Sequence, residues 1–79
     1  MIYKFPQFNV EISNPTISVD LNTIQDRAID KILKVGFTLV TDSASFGMSP
    51  EDVDMPYTDT WEDSEVEGMV VNWLTQFEI

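Results

Sequence analysis

Carboxylates dominate the chemistry open to this chain. Glu51, Asp52, Asp54, Asp59, Glu62 and Asp63 crowd together with Tyr57 and Trp61 among them and no Lys or Arg in the stretch. Such a set can ligate a hard cation, act as an acid–base pair, or present negative charge to a basic surface. The EF-hand form of the cation reading fails on spacing, which leaves only weak cation binding of another kind open to this stretch. An EF-hand calcium loop starting at Asp52 gains Asp54 at its third position. It then meets Pro56 at the fifth, Tyr57 where glycine makes the turn, and Asp63 where glutamate closes the site.

Catalysis finds little to work with. The chain has no Cys and no His, which excludes disulfides and thiolate or imidazole metal sites. A nucleophile would have to be a serine activated by lysine, or one carboxylate of a glycosidase-like pair. Ser43, Ser45 and Ser49 lie in a stretch with Gly47 and Pro50, but no G-x-S-x-G surrounds them, and Lys31 and Lys34 belong to a strand pattern. Gly36, Gly47 and Gly68 stand singly, so no glycine-rich phosphate loop exists. The expectation is a protein that is not an enzyme and holds no cofactor or metal.

Charge is the feature left over. Every Lys and Arg precedes Val35: Lys4, Arg27, Lys31 and Lys34 balance Glu11, Asp20, Asp26 and Asp30. The remainder, Asp42 to Glu78, carries the whole formal net charge of −10. This field repels nucleic acid and anionic lipid, and attracts basic protein surfaces, over a Debye length of ~8 Å in physiological salt. Carboxylates around Glu62–Glu67 also have a plain structural use. Near a helix N-terminus each gains ~0.3–1 kcal/mol from the dipole, more than the ~0.2–0.5 kcal/mol cost of the like-charge pair Asp63–Glu67. That argument does not reach Glu51, Asp52, Asp54 and Asp59.

The elements that must position these residues follow from periodicity. Phe8, Val10 and Ile12, then Ile17, Val19 and Leu21, alternate with polar residues as half-buried strands do. Asn14-Pro15 signals a turn, which predicts a hairpin around Ser13–Thr16. Residues 23–32 are ambiguous. Ile24, Ala28 and Ile32 suit a helical stripe with Thr23 as a cap, whereas odd positions from Ile29 to Leu39 suit a strand. The reading adopted is a turn or single helical turn at Asn22–Ala28, then a long strand ending near Thr41, with Gly36 marking a bulge. Ser45–Met48 reads as a short returning strand, and the rest of 42–60 as an acidic loop long enough to be functional, mobile, or pinned by Phe46, Val53 and Tyr57. Val66, Met69, Val70, Trp73, Leu74 and Phe77 recur at helical spacing, and Ser64 with Glu67 matches a capping box.

These pieces predict one small α+β domain over 1–79: a strand-rich, near-neutral part (1–41), the acidic loop (42–60) and a C-terminal helix (61–79). An antiparallel sheet of three to four strands should be covered by that amphipathic helix. The expected function is binding. Glu51, Asp52, Asp54, Tyr57, Asp59, Trp61, Glu62 and Asp63 would contact a basic protein surface, in the manner of a nucleic-acid mimic. Small acidic phage inhibitors of host nucleic-acid machinery share this size and charge, an analogy of composition without a shared motif. The alternative is a structural or assembly subunit of a virus-like particle or other oligomer. Direct nucleic-acid binding and membrane insertion are not expected, and a cytoplasmic or virion location fits both readings.

Overall fold

The computed structural model describes all 79 residues, and alternation of apolar and polar side chains builds six strands in it, all paired antiparallel. Ile2–Phe5 (β1) pairs with Val10–Ser13 (β2) in a two-stranded sheet, with Tyr3 opposite Ile12 and Phe5 opposite Val10. Tyr3, Phe5 and Ile12 are buried. Between the strands, the 3-10 turn Pro6–Phe8 ends on Asn9, whose φ of 53° is left-handed. Asparagine adopts that region more readily than most side chains.

The hairpin expected around Ser13–Thr16 does not form. Asn14 is also left-handed, with φ 49°, and its N–H donates to the Met1 carbonyl, closing the first ladder. Beyond Pro15 the chain leaves for a different sheet, so the strands on either side of the turn never pair. Phe8, read as a strand residue, sits in the turn.

The second sheet contains Thr16–Arg27 (β3), Ile32–Val40 (β4), Ser45–Met48 (β5) and Met55–Pro56 (β6). β4 is central: β3 lies along one edge, and β5 and β6 share the other. Leu33, Val35, Phe37 and Leu39 of β4 point to one face and are buried there. Ser18 and Asp20, on the opposite face, are exposed, as are Asn9 and Glu11 of the first sheet region.

The turn expected at Asn22–Ala28 is strand instead, and the irregularity expected at Gly36 lies across the ladder from it. Asp20 pairs with Gly36 and Gln25 with Lys34, so β3 takes five steps where β4 takes two. The surplus is odd, and side chains alternate with period 2, so the facing parity of β3 flips. Before the bulge Ile17 and Val19 pair with the core residues Leu39 and Phe37; after it Asp26 pairs with Leu33.

Thr23 organises the bulge rather than capping a helix. Its hydroxyl donates to the Asp20 carbonyl at 2.7 Å and accepts from the Gly36 N–H at 2.7 Å. The backbone groups freed by the broken ladder are thereby satisfied. This close approach is why position 36 is glycine. A Cβ there would lie 3.1 Å from Thr23 Oγ1, 3.3 Å from the Met48 carbonyl and 3.3 Å from Pro50 Cδ. Gly36→Ala is expected to cost ~1–3 kcal/mol through overpacking, because a carbonyl and a proline ring cannot swing aside. Urea denaturation checks this; a midpoint equal to wild type would mean the neighbouring chain yields freely.

Asp63–Leu74 (α1) continues into a 3-10 turn at Thr75–Phe77 and packs against β3 and β6. Val66, Val70 and Leu74 are fully buried, and Met69, Trp73 and Phe77 pack beside them. The α+β class, with an antiparallel sheet under a C-terminal helix, is as the periodicity predicts. The expected cap is not. The helix starts at Asp63, Ser64 falls inside the first turn, and Glu62 occupies the cap position without a side-chain bond. Carboxylates Asp63 and Glu65 in the first turn supply the favourable dipole interaction instead.

Aromatic rings join the two sheets. Phe8 meets Phe46, Phe46 meets Phe5, Phe5 meets Phe77, Phe77 meets Trp73 and Trp73 meets Phe37, with centroids between 4.7 and 6.0 Å. A bridge between Tyr3 and Glu78, and a bond from the Ile79 N–H to the Ile2 carbonyl at 2.9 Å, tie the chain's end to β1.

Candidate functional site

β5 and β6 leave the middle of β4 without a strand partner on that edge, and residues 49–54 arch across the gap. A 3-10 turn at Pro50–Asp52 shapes the arch, with the Ser49 hydroxyl accepting from the Glu51 N–H at 3.4 Å. Val53 and Met55 are buried and anchor its far end. Lys34 fills the gap from beneath. Its Nζ donates to the Glu51 carbonyl at 3.2 Å and forms an ion pair with Asp54. The acidic stretch therefore has a cation in space although it has none in sequence.

The pair is asymmetric: the Lys34 side chain is 8% exposed and that of Asp54 63%. Removing the exposed partner leaves a buried cation with one carbonyl, whereas removing the cation leaves a carboxylate that water solvates. Asp54→Ala is expected to cost ~1–3 kcal/mol and Lys34→Met to be near neutral for stability. Equal losses in thermal melts would show that Lys34 reaches solvent as readily as Asp54.

A second arrangement holds Tyr57 and Trp61. The parity flip puts Asp26 on the helix side of β3, where its carboxylate accepts from the Tyr57 hydroxyl at 2.5 Å and from Trp61 Nε1 at 3.1 Å. The Lys31 ammonium lies 5.6 Å from the Tyr57 ring centroid, a cation–π distance. The Tyr57 N–H donates to the Lys31 carbonyl at 3.0 Å. Both aromatic residues, expected as contact anchors, thus have their polar tips engaged within the chain.

The Asp26 hydrogen bond pushes the Tyr57 phenol above its ordinary value of 10.0, with desolvation and the Asp26 charge adding to the effect. A folded-state value raised above the unfolded one stabilises the protonated phenol. The contribution is fully present below the unfolded value and lost as pH rises through the folded one. Phenolate absorbance in Tyr57 should therefore appear later in an alkaline titration than in the Asp26→Asn variant. Coincident titrations would mean that Asp26 does not hold the hydroxyl.

Glu51, Asp52, Asp54, Asp59, Glu62 and Asp63 are all exposed, and Tyr57 and Trp61 are half-buried. They do not converge on one point. Asp52 and Asp54 border an open concavity of 550 Å³ with Gln7, Pro56, Trp73, Gln76 and Phe77. Tyr57, Asp59 and Trp61 border another, of 410 Å³, with Asp26 and Lys31. Glu51 lies on the arch outside both, and Glu62 and Asp63 stand at the helix start. No three carboxylates come together as a metal site would require. No protein-family model, curated protein or solved structure matches this chain.

No helix is long and apolar enough to cross a membrane. Sequence reasoning missed Lys34 and Asp26, whose side chains help fix the acidic segment to the sheet. Lys34 did carry a signal: it stands in the most apolar strand, between Leu33 and Val35, where a charge needs a partner.

Proposed function

We propose that this protein is a non-catalytic binding module whose carboxylates, in residues 51–63, occupy a basic, nucleic-acid-binding surface of another protein. The observation that carries this reading is the shortage of internal partners. The chain has fourteen Asp and Glu side chains and one ion pair, Lys34–Asp54. All ten carboxylates after Val35 are exposed. Unpaired charges of one sign repel one another, and a basic partner relieves that repulsion while releasing counterions. The Lys34 contact and the Asp26 contacts hold the acidic segment on the sheet, which lowers the ordering cost of binding.

The test is capture from native lysate at low salt, followed by elution with rising salt and competition with duplex DNA. A specific partner should elute steeply with salt and be displaced by DNA. Retention in the presence of excess DNA overturns mimicry. A second reading, an assembly subunit, is favoured by the unpaired outer edge of β3 beside Leu21, 46% exposed, and by Ile29, 100% exposed at the β3–β4 turn. Concentration-dependent self-association in sedimentation would support that reading.

A further inference from the structure

Two concavities meet at Pro56 and Trp73 and form one groove between the arch and the last turns of α1. Its larger part is lined by Trp73, Phe77 and Pro56 together with the polar residues Gln7 and Gln76 and the acidic residues Asp52 and Asp54. Its smaller part, 240 Å³, is lined by Met55, Met69 and Asn72 as well. No Lys or Arg lines either part. Trp73 is fixed by edge contacts to Phe37 and Phe77 at 6.0 and 5.0 Å.

We infer that this groove receives an arginine side chain from a basic segment of the partner, with the next apolar side chain of that segment entering the part lined by Met55 and Met69. The inference rests on the acidic-module reading above and names the chemistry of its contact. Charge complementarity selects a cationic occupant, since a neutral apolar one would strip water from the carboxylates and give nothing back. Arginine is favoured over lysine. Its guanidinium is planar, weakly hydrated, stacks on an indole face and meets a carboxylate with two parallel N–H donors, whereas an ammonium is a strongly hydrated point charge. Asp54 is already committed to Lys34, so Asp52 carries most of the recognition.

The experiment uses the full chain and a blocked hexapeptide of alternating arginine and leucine, followed by amide and indole N–H spectra at low salt. Lysine–leucine and citrulline–leucine peptides are the controls. The Trp73 indole signal should move to saturation while that of Trp61 stays. The lysine peptide should bind roughly tenfold more weakly and the citrulline peptide weaker still. Asp52→Asn should weaken arginine-peptide binding roughly tenfold, with Glu11→Gln, exposed on β2 and outside both the groove and the acidic segment, unchanged. Well-dispersed spectra of both variants control for folding. Equal binding of the lysine peptide overturns guanidinium recognition, and equal binding of the citrulline peptide overturns the charge argument. Shifts confined to residues 57–65 overturn the groove while the acidic-module reading survives. No shift anywhere overturns both.

Discussion

Leu74→Ala is expected to lower the unfolding free energy by ~2–5 kcal/mol, the range for emptying a packed leucine site. Leu74 is fully buried at the end of α1, in the one core cluster that also holds Tyr3, Phe5 and Ile12 of the hairpin and Leu33, Val35, Phe37 and Leu39 of β4. A domain of this size commonly has a margin of only ~5 kcal/mol, so the variant should be largely unfolded at physiological temperature. Alanine is the best helix former, so the loss reports packing and not propensity. Val71→Ala is the matched control: Val71 is 42% exposed on the same helix, and its truncation should stay within ~0.5 kcal/mol. Urea denaturation followed by tryptophan fluorescence separates the two. Similar midpoints would mean that the apolar stripe does not face the core.

Reversing Glu51, Asp52, Asp59 and Glu62 to lysine together should weaken partner binding on the order of a hundredfold or more at low salt. All four are exposed and none makes an ion pair within the chain. Reversal replaces each attraction to a basic surface by a repulsion, and the salt dependence of what remains should flatten. Asp54 is left in place, because a lysine there would face Lys34, whose side chain has almost no access to water. The fold should survive, checked by an unchanged circular dichroism spectrum. Undiminished binding by the folded variant would reduce the acidic surface to a solubilising face and favour the assembly reading.

Period carried the sequence reading where it was unbroken. The helix stripe from Val66 to Phe77 and the alternation from Leu33 to Leu39 each keep one phase throughout, and both elements stand where they were expected. β3 was misread because its phase changes. Core-side residues are odd-numbered at Ile17 and Val19, then even-numbered at Asp26, with Ile24 packed on the core as well. Read as one pattern, that break turns Ile24, Ala28 and Ile32 into an apparent helical stripe. The exposure of the carboxylates was legible from composition. Their anchoring was not, because the contacts span 20 residues from Lys34 to Asp54 and 31 and 35 from Asp26 to Tyr57 and Trp61. Pairings of that reach are set by strand order, which no local pattern encodes.

The way the two sheets are joined also sets how the molecule opens. No ladder of hydrogen bonds runs between them. The β1–β2 hairpin is held by the chain of rings from Phe8 to Phe37 and by its bridge to the C-terminal segment. Ladders break cooperatively, whereas ring contacts can be surrendered one after another. The hairpin and residues 75–79, though they share the core, are thus expected to open at lower cost than the β3–β4–β5 ladder. In native-state hydrogen exchange, amides of Tyr3 and Ile12 would report that smaller opening, and those of Phe37 and Leu39 the loss of the whole fold. Lifting the hairpin with residues 75–79 would part Phe5 from Phe46 and Phe77 from Trp73 while Phe5 and Phe77 stay together, so the excursion that loosens the chain's two ends is also the one that would briefly make it adhesive.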